Sequence, residues 1–170
     1  MSNSRAQIIA TIGPASAEAG IIKKMIEGGM DVVRLNLSWG THEEHALYIE
    51  TIRTISKQLG RVTPIILDLS GPRVQEKSGH HIDNSATHTI TPKDLDDLSF
   101  GLKLGVEYVA MSYVGNAEDI EELKKHITSL GGKAKVIAKI EREEALQNVD
   151  EILKVSDAVM IARGDLGNEI

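Results

Sequence analysis

Six short, nearly unbroken runs of Val, Ile and Leu punctuate the chain, at 7–12, 31–38, 64–69, 108–114, 135–141 and 158–163. Runs this brief and this uniformly apolar are expected of parallel strands covered on both faces. Between them the apolar positions change to helical spacing. Ile21, Ile22, Met25 and Ile26 form a stripe that stops at Gly28-Gly29, and Leu47, Ile52, Ile55 and Leu59 form one that stops at Gly60. Thr91-Pro92 reads as N-cap and first helical residue ahead of Leu95, Leu98 and Leu102. Asn116 caps a stripe of Ile120, Leu123 and Ile127 that Gly131-Gly132 ends, and a last helix carries Leu146, Val149, Ile152 and Leu153.

Strand–helix alternation implies right-handed crossovers and a parallel sheet. Strand starts recur about every 25 to 45 residues, which suits the unit length of a closed (β/α) barrel. A doubly wound open sheet fits the same periodicity. The absence of G-x-G-x-x-G after the first run, and of G-x-x-x-x-G-K-[ST] anywhere, argues against the dinucleotide-binding and P-loop versions of that sheet.

Polar residues interrupt the runs near their C-terminal ends. Residues two apart share a strand face, so Arg34, Asn36 and Ser38 point one way and Val33, Leu35 and Leu37 the other. Lys139 and Glu141 share a face; Arg163 and Asp165 flank Gly164; Asp68 precedes Ser70-Gly71-Pro72. Burying such charges is costly unless they pair or bind something. Gathered where barrel sites lie, they suggest Glu141 and Asp165 as hard oxygen ligands for Mg²⁺ or Mn²⁺. Lys139 would then face a phosphate or a developing enolate, Arg34 would fork a phosphate, and Asn36, Ser38 and Asp68 would suit a monovalent cation. His42 and His45 begin a helix and read as solvated, and His80-His81 falls in a polar loop without metal-ligand spacing.

Composition narrows the field. With 170 residues the chain can bury a core as one domain, and its net charge of −6 makes nucleic acid and anionic membranes poor partners. No apolar run approaches the roughly 20 residues of a membrane span, and Met1–Gln7 is too polar for a signal peptide, so a cytoplasmic protein is expected. Cysteine is absent, which removes thiolate catalysis and cysteine-based zinc sites.

Five segments resemble the pyruvate kinase family. They are Ala10-Thr11-Ile12-Gly13-Pro14-Ala15-Ser16, the stretch from Met25 through Val33-Arg34-Leu35-Asn36-Leu37-Ser38, Leu67-Asp68-Leu69-Ser70-Gly71-Pro72, Ala138-Lys139-Ile140-Glu141, and Met160-Ile161-Ala162-Arg163-Gly164-Asp165-Leu166-Gly167. The resemblance implies an α/β chain, a parallel TIM barrel of the pyruvate kinase type with about six of its eight βα units. It implies one partial barrel domain over 1–170, with 73–91 as a short loop where the family inserts a lid domain. It further implies Lys139 and Arg34 as catalytic and Arg163, Gly164 and Asp165 as substrate-binding residues. Glu141 and Asp165 would be divalent-metal ligands, and Asn36, Ser38, Asp68 and the Leu69 carbonyl would be potassium ligands. The family's reaction moves phosphate from phosphoenolpyruvate to ADP. Here the basic residue expected after Gly-Pro is Gln75, and the histidine expected after Ser38 is Trp39. With the lid missing, these departures point toward chemistry on a 2-oxo acid or its enolate without ADP. Six units leave two open sheet edges, from which self-association or a partner chain that completes the barrel is expected.

Overall fold

A computed structural model describes residues 6–76, 79–82 and 89–169, with the side chains of 73–82 and 168–169 outside the description. The strands β1 (Ile8–Thr11), β2 (Met30–Asn36) and β3 (Ile65–Asp68) alternate with helices α1 (Ala19–Glu27) and α2 (His42–Gln58). After β3 come two further strands, β4 (Arg73–Glu76) and β5 (Gly79–Ile82), and then α3 (Pro92–Lys103). Alternation resumes with β6 (Tyr108–Met111), α4 (Ala117–Ser129), β7 (Lys135–Ile140), α5 (Glu143–Gln147), α6 (Val149–Val155), β8 (Ala158–Ile161) and α7 (Arg163–Glu169).

The main sheet has six parallel strands in the order β1-β2-β3-β6-β7-β8. Chain order and spatial order therefore agree from edge to edge, with no reversal. A doubly wound sheet must reverse at a switch point, and a barrel does not. That one fact decides between the two architectures that the periodicity allows: the sheet is a curled sector of a TIM barrel. β4 and β5 pair antiparallel, apart from this sheet, so the segment read as a short loop contains a hairpin. His80 and His81 lie in β5, and their side chains are outside the description.

Alternation along each strand sorts the apolar residues into two layers. Val33, Leu35, Ile65, Leu67, Val109, Met111, Val136, Ala138 and Ile140 pack against the helices, where Ile22, Ile26, Ile52, Leu98, Ile120, Leu123 and Ile152 meet them at full burial. On the concave face, Val32, Ile66, Ala110 and Ile137 form a smaller cluster with Tyr108 and Met160.

Helix starts follow the caps read from the sequence. Thr91 and Asn116 each make a capping box, with Asp94 and Asp119 returning the bond to the cap's own amide. Thr41 does the same with Glu44 at the start of α2. The last run departs from expectation. β8 ends at Ile161, and Arg163 and Asp165 belong to the first turn of α7 instead of a strand end. Gly164 offers no side chain to pack in a sheet, and helical Leu166 is buried at 9% exposure.

Candidate active site at the strand ends

Two residues beyond the concave apolar layer, the same strand faces become polar. Val32 is followed by Arg34, Ile66 by Asp68, Ala110 by Ser112 and Ile137 by Lys139. The register places Thr11 beside Arg34 and Asn36 beside Asp68, on successive rows at the C-terminal ends of β1, β2 and β3.

Asp68 is 1% exposed, Lys139 4% and Glu141 0%. Burial this deep demands mutual compensation, and the contacts supply it. Arg34 Nε lies 2.5 Å from Asp68 Oδ2, and its Nη1 donates to Thr11 Oγ1 at 3.0 Å. The Lys139 ammonium lies 2.7 Å from Glu141 Oε1 and 3.3 Å from Asp68 Oδ1, and it donates to Ser112 Oγ at 2.7 Å. Two cations and two carboxylates thus balance within one contiguous cluster. Glu141 Oε2 accepts from the Tyr113 amide at 2.9 Å. Its Oε1 meets the lysine as an ion pair off the hydrogen-bonding direction and is a buried oxygen without a hydrogen-bond partner.

The cluster opens into a cavity of about 220 Å³, lined by Arg34, Asn36, Ser38, Lys139 and Glu141 on one side and by Met160 through Asp165 on the other. The structure therefore brings Lys139, Arg34, Glu141, Arg163, Gly164, Asp165, Asn36 and Ser38 to one cavity, with Asp68 behind it. Leu69 follows β3 with its side chain buried, and its carbonyl accepts from Ser112 Oγ at 2.6 Å. Among the described residues, no three His, Cys, Asp or Glu side chains gather to hold an ion.

A second network braces the site from behind. Lys93 Nζ, from the first turn of α3, donates to the Leu37 carbonyl at 2.7 Å, to Asp97 Oδ2 at 2.6 Å and to Ser70 Oγ at 3.3 Å. His42 bonds the other Asp97 oxygen at 2.7 Å and stacks on Phe100. His45, expected to be solvated, is instead 4% exposed, with Nε2 at 2.8 Å from the Trp39 carbonyl. The reason is geometric: α2 turns His45 inward beneath Gly40, where a residue with φ of +79° lets the loop fold back over the ring. Trp39 itself is 58% exposed. Asp94, Asp97 and Ser112 give little sign of themselves in sequence. Only the strand parity Ala110–Ser112, read together with that of Lys139, would have placed Ser112 on the charged face.

A parallel sheet in simple chain order, with charges buried at its C-terminal strand ends around an open cavity, has the layout of a TIM-barrel enzyme. The comparisons with known proteins make that class specific. The profile of "Pyruvate kinase, barrel domain" matches residues 3–85 and 77–170. The chain is 30% identical to a pyruvate kinase of Sporosarcina psychrophila over 249 aligned positions, covering 98% of this chain and 42% of that protein. Pyruvate kinases of Agrobacterium vitis and Thermococcus litoralis are also 30% identical, each with 52% of its length covered. The chain belongs to the pyruvate kinase family. It spans about half the length of the curated relatives it matches. No helix among the described residues is long and apolar enough to cross a membrane.

Proposed function

We propose that the chain is a pyruvate kinase-type enzyme that depends on Mg²⁺ or Mn²⁺ and acts on phosphoenolpyruvate or the enolate of pyruvate. The observation that carries this reading is the buried Lys139–Glu141–Asp68–Arg34 cluster at the mouth of the 220 Å³ cavity. The donor set fits a hard divalent cation. Glu141 and Asp165 line the same cavity, and one or two carboxylates are what Mg²⁺ usually takes from protein. When bound, the cation would supply charge stabilisation for an enolate oxygen.

The chain's own residues would do the rest. Lys139 holds a positive charge at a fixed point of a water-poor site, where it stabilises a phosphoryl oxygen or an enolate far better than it would in bulk water. Arg34, with its guanidinium plane set by Asp68 and Thr11, orients the phosphoryl group. Arg163 and the Gly164–Asp165 amides, on the facing wall, orient the substrate carboxylate. Asn36, Ser38, Asp68 and the Leu69 carbonyl would hold a potassium ion, a reading that the β2–β3 register pairing Asn36 with Asp68 supports.

A second reading drops the nucleotide. The two profile-matched stretches meet across the β4–β5 hairpin, and the alignments run to 249 and 250 positions against 170 residues here. These facts support a short hairpin, containing Gln75, in place of the lid. They favour a metal-dependent lyase, aldolase or proton-transfer enzyme working on a 2-oxo acid. Among the described residues β1 and β8 pair on one side only, which supports association through these edges, with a second copy or a partner chain.

The test is loss of the pyruvate methyl proton signal in D₂O with Mn²⁺ or Mg²⁺, run beside a coupled assay with phosphoenolpyruvate, ADP, Mg²⁺ and K⁺. Metal-dependent exchange that Lys139→Ala abolishes is the expected result, and formation of pyruvate only with ADP selects the kinase reaction. A folded chain that neither exchanges nor binds Mn²⁺ at submillimolar levels overturns the proposal and leaves a non-catalytic barrel subunit.

A further inference from the structure

The turn that follows β6 touches both members of the Lys139–Glu141 pair, and it does so with groups that are fully committed. Ser112 is 1% exposed. Its single hydroxyl proton goes to the Leu69 carbonyl at 2.6 Å, so toward Lys139, 2.7 Å away, it can present only a lone pair. The ammonium donates to Ser112 Oγ and forms ion pairs with Glu141 Oε1 and Asp68 Oδ1. Of these, Ser112 alone is neutral. It therefore fixes the position of Nζ without adding to the negative charge that substrate must approach.

The next residue takes the glutamate. Tyr113 adopts φ of +57°, which an L-residue with a bulky side chain rarely does, and its amide donates to Glu141 Oε2. Its ring is 2% exposed and packs over Gly71. A Cβ at Gly71 would stand 2.9 Å from Tyr113 Cδ2 and 3.1 Å from Ser112 Cβ, and Gly71 itself has φ of +67°. The Gly71 amide is held in turn by Asp94 Oδ1 at 3.1 Å. The loop after β3 thus backs the turn after β6 at Gly71, where a side chain would collide with Tyr113 and Ser112.

We infer that Ser112 and Tyr113 form a positioning clamp for the lysine–glutamate pair, with the Ser112 hydroxyl setting Lys139 and the Tyr113 amide setting Glu141, and that Gly71 is the surface against which this clamp is seated. Neither clamp residue touches the cavity, so their effect on chemistry passes through Lys139 and Glu141. The catalytic consequence rests on the function proposed above; the placement does not.

The experiment uses the full chain labelled with ¹⁵N-lysine at low temperature, where a buried and hydrogen-bonded ammonium resonance is observable. Disappearance of the signal in Lys139→Arg assigns it. The clamp predicts a nuclear Overhauser contact between the Lys139 ammonium protons and the Ser112 β-protons in the unsubstituted chain. It predicts that Ser112→Ala shifts or broadens the Lys139 resonance while the surface lysines hold, and that Ser112→Thr restores it. Gly71→Ala displaces the same resonance from the other side of the clamp. In the pyruvate exchange assay, Ser112→Ala lowers kcat about 10- to 100-fold with KM little changed, and the threonine variant recovers most of it. A missing contact in the unsubstituted chain overturns the clamp even if Ser112→Ala fails to fold, and an unmoved Lys139 resonance in folded Ser112→Ala overturns it too. If the contact and the shift are present but the chain neither exchanges pyruvate protons nor binds Mn²⁺ at submillimolar levels, the functional reading falls and the clamp stands.

Discussion

The two ends of the sheet both carry carboxylates, and they use them in opposite ways. At the N-terminal end, Asp31 accepts the Ile8 amide at 2.8 Å, Glu107 the Ile65 amide at 2.8 Å and Asp157 the Val136 amide at 2.9 Å. Each sits at the start of one strand and caps the first amides of a neighbouring one, with its charge near water. At the C-terminal end, Asp68 and Glu141 are buried and face Lys139 and Arg34. The first group satisfies backbone donors that a parallel sheet leaves open at its start. The second spends desolvation energy that folding does not require. The difference teaches where to look for chemistry: the presence of acids marks nothing, but acids buried against cations beside a cavity do.

The contrast breaks most sharply at Lys139. Lys139→Met leaves Glu141 and part of Asp68 buried without their counter-charge, and unfolding by urea should show a loss of about 3–5 kcal/mol. Adding Glu141→Leu should recover part of that loss, because removing both charges also removes the uncompensated one, and should abolish Mn²⁺ binding through loss of a carboxylate ligand. Equal destabilisation in the single and double variants would place the cost elsewhere.

At the opposite end the losses are smaller and leave the site alone. Glu107→Ala removes the acceptor for the Ile65 amide and the partner of Arg53, which lies 2.8 Å away. About 1–2 kcal/mol of stability should be lost by the same titration, with Mn²⁺ affinity unchanged. A fall in affinity would show that the two ends are coupled.

Asp157 gives the smallest effect and a pH signature. The Val136 amide, helped by Lys124 at 3.3 Å, holds this carboxyl below its ordinary range. A depressed folded-state value means that the contribution is complete above the unfolded value of about 3.9 and disappears as pH falls through the folded one. Asp157→Asn should therefore cost about 1 kcal/mol or less at pH 7, and the gap from the unsubstituted chain should close below about pH 4. A gap independent of pH would assign the effect to shape and not to charge.

Much of this was legible along the chain. Strands β2, β3 and β7 show themselves as apolar runs because both of their faces are covered, and Thr91 and Asn116 mark helix starts because a side-chain oxygen must take an orphan amide there. Arg34, Asp68, Lys139 and Glu141 stand out because charge inside such runs is expensive. Other residues left no trace. Asp94 and Asp97 look like an ordinary polar helix face, yet they are 1% and 3% exposed because the loops after β2 and β3 fold over them. His45 looked solvated for the same reason. Arg163 and Asp165 have the pattern of a strand end, since local pattern does not reveal that the chain turns into α7 after Ile161.

Periodicity, caps and charges set inside apolar runs are properties of short segments, so the alternation of strand and helix, the residues able to bear chemistry and the family resemblance can all be read along the chain. The order of the strands as a barrel sector, and the seating of the lysine and glutamate by Ser112, Tyr113 and Gly71, come from the folded arrangement. Those facts depend on which strands are neighbours, and hydrogen bonds between residues as far apart as Leu69 and Ser112 form only once the sheet has curled.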